Sequence, residues 1–187
     1  MRSICALLLC CVTSVPVVAQ DKVLPPSKVD FSTFMKLAQE VQPYRQQRLL
    51  SLDQFLEAAR EPGAIVLDAR SKEMYDEMHL KGAVHLDFSD FTQARLDALI
   101  PSKNTRVLIY CNNNFDDAPR VFATKMALPI PVADDTEPLT LALNIPTFIN
   151  LYGYGYRNVY ELENFVSIRD PRLEFEGRVI SERGRRP

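Results

Sequence analysis

The chain has 187 residues, of which 47% are hydrophobic, 25% charged and 9% aromatic, enough apolar material for one globular domain and too much for wholesale disorder. A formal net charge of −2 excludes the basic surface that nucleic-acid binding requires. Thirteen prolines against six glycines point to rigid, irregular connections.

Residues 1–20 (MRSICALLLCCVTSVPVVAQ) carry one early cation, Arg2, and an almost continuous apolar run that Pro16 breaks. The run is too short to span a bilayer, and Val17, Val18 and Ala19 are residues that signal peptidase accepts. Residues 1–19 are therefore expected to be a signal peptide cleaved after Ala19. The mature chain would be exported, periplasmic or secreted, with no membrane association after cleavage. Cys5, Cys10 and Cys11 would leave with the signal, and Cys111 would remain alone in an oxidising compartment. Such a thiol is either packed and inert or kept for its chemistry.

Residues 20–47 read as an N-terminal extension. After a polar lead-in, Phe31, Phe34, Leu37, Ala38 and Val41 recur at helical spacing, which predicts an amphipathic helix over 31–42 ending before Pro43. Ser51 is placed to cap a helix over 52–60, stopped by Pro62-Gly63. The apolar run 64–67 fits a strand buried on both faces. Ser71 opens a short helix, 83–86 is a second strand, and 88–99 a helix closed by Pro101. Residues 106–110 (RVLIY) make the clearest strand and run straight into Cys111. A helix is expected over 119–127, with Pro119 in its first turn. Residues 128–138 (LPIPVADDTEP) read as an irregular insertion able to cover the site or dock a protein partner. Helical spacing resumes over 139–152, and 158–162 is a last strand. Residues 167–187 are expected to be a solvated tail with Arg183, Arg185 and Arg186 at its end.

Strands alternating with helices describe an α/β fold around a parallel sheet, whose ligands bind beyond the carboxyl ends of the strands. Cys111 sits at such an end, before a polar loop that leads toward a helix. Backbone N–H groups in that arrangement form an anion-binding concavity and lower a thiol pKa, which makes Cys111 a candidate nucleophile.

Three segments, in order, carry a resemblance to the rhodanese-like family. Ile65 to Ser71 (IVLDARS), followed by Glu73, Tyr75, His79 and Gly82-Ala83, is similar to the family's strand-Asp-x-Arg segment with its downstream His-x-x-Gly-Ala. Val107 to Cys111 (VLIYC) resembles the strand entering the catalytic loop, and Gly155 to Leu162 (GYRNVYEL) the closing strand. With Ser51-Leu52-Asp53 in front, the match spans about 48–166. The resemblance implies a five-stranded, mostly parallel sheet flanked by helices. It implies a sulfurtransferase in which Cys111 carries sulfur as a persulfide, from a small donor to a thiol or cyanide acceptor, without cofactor or metal. The N–H groups of Asn112, Asn113, Asn114, Phe115 and Asp116 would line the cradle, and Asp68 and Arg70 would be a supporting structural pair.

Two departures bear on that reading. Where active members of the family often place a cation near the loop's end, this chain has Asp116, with Asp117 next and Arg120 the nearest loop-side cation. Two carboxylates there would repel thiosulfate and raise the thiol pKa. In addition, 44 positions separate Cys111 from Gly155, more than a compact member of the family uses. A cysteine-dependent phosphatase of related fold would need arginine where Asp117 stands. The alternative to the enzyme is a catalytically inactive binding or redox-sensing module. His79 is expected in a structural hydrogen bond, and His85 is weighed as a base for Cys111. The three loop asparagines suit either a polar turn or contacts to a neutral substrate. Tyr152, Tyr154 and Tyr156 are expected to pack.

Overall fold

The computed structural model describes residues 26–127, 139–163 and 165–183. The expected signal peptide and the insertion over 128–138 lie outside the described residues. The chain divides into two units, Met1–Asp30 and Phe31–Pro187, and everything below concerns the second.

In chain order, the regular elements begin with α1 (Phe31–Gln46), β1 (Leu49–Leu50), α2 (Leu52–Ala59), β2 (Ile65–Asp68) and α3 (Lys72–Glu77). The short strands β3 (His79–Leu80) and β4 (Val84–His85), helix α4 (Gln93–Leu99) and strand β5 (Val107–Tyr110) follow. After the cysteine come β6 (Met126–Ala127), β7 (Leu139–Thr140), α5 (Asn144–Gly153), β8 (Val159–Leu162), β9 (Phe175–Glu176) and α6 (Arg178–Arg183). Five strands form one sheet in the order β1-β8-β5-β2-β4, every pair parallel.

The sheet divides the core into two halves. Along β5, Val107 and Ile109 point to one half with Leu67, Leu96, Phe148 and Val159. Leu108 and Tyr110 point to the other, with Phe55, Met78, Phe122 and Leu162. This period of two, with all four β5 residues buried, is the pattern of a central strand covered on both faces. Helices α1, α4 and α5 supply the first half, and α2 the second. The cap expected at Ser51 is present as a reciprocal pair: its hydroxyl accepts from the Gln54 N–H, and the Gln54 side chain accepts from the Ser51 N–H.

Four expectations need correction. Helix α1 continues through Pro43 to Gln46, because Val41, Tyr44 and Arg45 each gain tertiary partners that outweigh the proline's penalty. No helix forms over 119–127. Val121 and Phe122 instead turn into the core, and the chain then leaves as an arm in which Met126–Ala127 pairs antiparallel with Leu139–Thr140. The helix expected over 139–152 begins only at Asn144, with Pro146 in its first turn, where a missing N–H costs nothing. Residues 167–183 are not a solvated tail: Leu173 is buried, β9 pairs antiparallel with β3, and α6 packs against α3. Gly177 makes that return possible, since it has φ +122° and any side chain there would meet the Glu77 carbonyl oxygen at 2.5 Å.

Candidate functional site

Cys111 lies at the C-terminal end of the central strand and is only 1% exposed. It caps a single 3-10 turn, Asn112–Asn114, with its sulfur accepting the Asn113 N–H at 3.3 Å. Of the expected cradle of loop amides, the Asn113 N–H reaches the sulfur and two others turn away. The N–H groups of Asn114 and Phe115 close the turn onto the Cys111 and Asn112 carbonyls instead of facing the sulfur.

The three asparagine side chains hold the loop in place. Asn112 accepts from Arg70 at 3.4 Å. Asn113 donates to the Lys125 carbonyl (3.0 Å) and accepts the Lys125 N–H (2.9 Å), clamping the base of the β6–β7 arm to the turn. Asn114 accepts the Cys111 N–H (2.9 Å) and donates to the Leu162 carbonyl (2.8 Å), tying the loop to β8. Both ends of the Asn113 and Asn114 amides are thus committed within the protein rather than presented to a neutral substrate. Phe115 is buried against Phe122 and Phe175 and bridges to Val166.

Helix α5 supplies what the missing helix would have supplied. Its first turn has no side-chain cap at Leu143, and the backbone amides of Asn144 and Leu143 join that of Asn113 in favouring a thiolate at Cys111. Burial nonetheless dominates and pushes the thiol up from its usual value, with the Glu161 carboxylate adding to the rise. The resting sulfur is therefore a thiol, and its S–H donates to Asn144 Oδ1 at 3.4 Å.

Asp116 is exposed. Asp117 accepts the Ser167 hydroxyl (2.5 Å) and the Ile168 N–H (2.8 Å), bonds that lower its pKa and make it an anchor for the chain after β8. The carboxylate that raises the thiol is Glu161, not the loop pair the sequence suggested. Arg120 is exposed and lines a groove with Glu77, Asp117 and Arg178.

Beneath the loop lies a fully buried charge pair. Arg70 donates to Asp68 from Nε and from Nη2, the latter at 2.7 Å, and also to the Met78 carbonyl at 2.7 Å. The Tyr110 hydroxyl donates to Asp68 at 2.5 Å, and burial beside that carboxylate holds the phenol well above its usual pKa. His79 Nδ1 meets the Tyr75 carbonyl oxygen and its ring stacks on Tyr75. His85 Nε2 meets the Arg70 carbonyl oxygen rather than the sulfur. The hydroxyls of Tyr152, Tyr154 and Tyr156 donate to Glu40, the Phe91 carbonyl and Asp97.

The sequence profile of the rhodanese-like domain matches residues 51–167. The chain belongs to the rhodanese-like domain family. No curated protein matched it. Among solved structures, this rhodanese-like chain is similar to the BH2092 protein of Bacillus halodurans at 18% identity, covering 78% of this chain and 88% of that one, with TM-score 0.47. The Alr3790 protein of Anabaena matches at 14% identity over 72% and 97% of the two chains, with TM-score 0.44. A structure titled rhodanese with anions, from E. coli, matches at 19% identity over 62% and 99%, with TM-score 0.35.

Three residues around the rhodanese-like cysteine were not singled out from the sequence: Asn144, Glu161 and Arg45. Glu161 gave the available signal, as the one charge inside the buried strand segment Val159–Leu162. The clamp also yields an expectation. Asn113→Ala keeps the N–H on the sulfur but removes both bonds to Lys125, so at fixed pH Cys111 should react with a disulfide reagent roughly tenfold faster. An unchanged rate would show that the arm does not control access.

Proposed function

We propose that this domain is a sulfur carrier. In this reading Cys111 takes sulfane sulfur from an organic persulfide and passes it to a thiol or to cyanide. The observation that carries the reading is the position of the Cys111 sulfur at the end of β5, where it accepts the Asn113 N–H and faces the first-turn amides of α5. Those donors stabilise a thiolate or a terminal persulfide anion once the sulfur has lost its proton. Cys111 gives up that proton and attacks the outer sulfur of R–S–SH. The donor's S–S bond breaks, a new S–S bond forms on Cys111, and R–S⁻ leaves and takes up the proton. No net oxidation occurs. Attack by an acceptor thiolate or cyanide on the outer sulfur regenerates Cys111.

The Glu161 carboxylate raises the thiol even though Arg45 pairs with it, so the site favours a donor with less negative charge than the thiosulfate dianion. The signal-peptide pattern expected of residues 1–19 supports a site of action outside the cytoplasm. Incubation with an organic persulfide should add about 32 Da to the intact protein, removable by cyanide, while thiosulfate should load it far less. Equal loading by thiosulfate would overturn the donor assignment, and no loading by either donor would overturn the carrier. The burial of Cys111 favours a second reading, a binding module whose cysteine is inert, and absence of any adduct would support it.

A further inference from the structure

A chain of hydrogen bonds runs from the sulfur to a helix outside the span of the family match. Cys111 S–H donates to Asn144 Oδ1, and Asn144 Nδ2 donates to Glu161 Oε1 at 2.5 Å. The Glu161 carboxylate in turn receives both arms of the Arg45 guanidinium, from Nε at 2.7 Å and Nη2 at 2.5 Å. The Glu161 side chain is 2% exposed and Arg45, on α1, 24%.

The chemistry of the far end fixes the near end. A carboxylate only accepts hydrogen bonds, so the Asn144 amide must present its NH₂ to Glu161. Its carbonyl oxygen is then left facing Cys111. A thiol can donate to that oxygen, whereas a thiolate would meet it lone pair against charge. If Glu161 were neutral, the amide could turn, offer Nδ2–H to the sulfur and complete a ring of donors with the amides of Asn113, Leu143 and Asn144. We propose that Asn144 is a positioning residue for Cys111, and that Glu161 and Arg45 set which end of its amide the sulfur sees, holding the resting site as a thiol. The inference rests on the reading of Cys111 as the working sulfur, and it adds a control that acts through α1.

The other charged groups around the site are already committed. Arg70 and Asp68 neutralise each other under the loop, where Tyr110 donates to Asp68. Asp117 is bonded to Ser167 and Ile168, and Asp116 is exposed. Glu163 acts on Glu161 in the same direction as burial, pushing its carboxyl up, while Arg45 opposes both. Lys125 contributes its backbone to the clamp.

The test is the pH dependence of Cys111 alkylation by iodoacetamide in the full mature chain. It needs no sulfur donor, so it is independent of whether the domain carries sulfur. Glu161→Gln should move the midpoint below the usual cysteine value of about 8.5 and speed alkylation at neutral pH at least tenfold. The same substitution in an Asn144→Leu background should lose most of the shift, because no amide is left to turn and only the loss of the Glu161 charge still acts on the sulfur. General loosening of the site would shift both and would bring the midpoint no lower than the value for an exposed thiol. Arg45→Lys, which keeps a cation on Glu161, should leave the midpoint in place. If Glu161→Gln does not fold because it strands the Arg45 cation, the double variant Glu161→Gln/Arg45→Met serves instead, since it leaves no lone buried charge, and it should shift the midpoint in the same direction. An unchanged midpoint, or a shift just as large in the Asn144→Leu background, would overturn the inference. A shifted midpoint in a protein that never gains sulfur would overturn the carrier and leave the inference standing.

Discussion

Replacing Arg70 with methionine should destabilise the domain by about 3–5 kcal/mol, because it strands a buried carboxylate without its partner. Arg70 is 2% exposed and Asp68 is fully buried, so water cannot take over the lost bonds. The guanidinium also donates to the Met78 carbonyl and reaches Val121 and Asn112, joining β2, α3 and the cysteine loop in one knot. It lies over the Phe122 ring at 4.4 Å, so methionine replaces the bulk but not the bonds. For a chain of this size the melting temperature should fall by roughly 10 °C. Urea unfolding of Arg70→Met, Asp68→Asn and the double variant measures both the loss and the coupling. The double variant should cost less than the sum, since it leaves no lone charge. A single-variant loss under about 1 kcal/mol would show that the pair does not hold the loop.

Cys111→Ser should abolish persulfide loading while leaving the fold almost unchanged. The serine hydroxyl can donate to Asn144 Oδ1 and accept the Asn113 N–H as the thiol does. The buried site therefore keeps its bonds, and the change in stability should stay near 1 kcal/mol. What is lost is the polarisable nucleophile, so the gain of about 32 Da seen with a persulfide donor should disappear. Any cyanide-labile mass that persists on the serine variant would place the sulfur elsewhere and end the mechanism. Partner binding that survives the substitution, in a protein that never loads sulfur, would mark the domain as a module.

The central sheet was legible because its signals are local. Residues 64–67, 106–110 and 158–162 are short apolar runs between turn residues, and all three are strands of the sheet. The family resemblance rested on the same segments. What escaped the sequence depended on distance. Leu49–Leu50 is only two residues long and becomes a strand by pairing with Glu161 and Leu162. The fragment 119–127 has helical composition, but Asn113 claims the Lys125 backbone and Phe122 the core, so tertiary contacts override propensity. At the site, the sequence located Cys111 and its loop but assigned the decisive negative charge to neighbours in the chain, Asp116 and Asp117. Glu161 is 50 positions away and reaches the cysteine only because β8 lies beside β5.

Helix α1 has a consequence for how this domain can be handled as a cassette. The family profile begins at residue 51, yet Val41 is sealed in the core, Tyr44 stacks edge-on against Phe148, and Arg45 neutralises Glu161. A fragment cut at the family boundary would also lose β1, turning β8 into a raw edge and leaving its carboxylate facing solvent beside the cysteine. The transplantable unit is therefore longer than the recognisable one. It takes in α1 from Phe31, and a graft that starts after Arg45 would carry a cysteine with altered acidity.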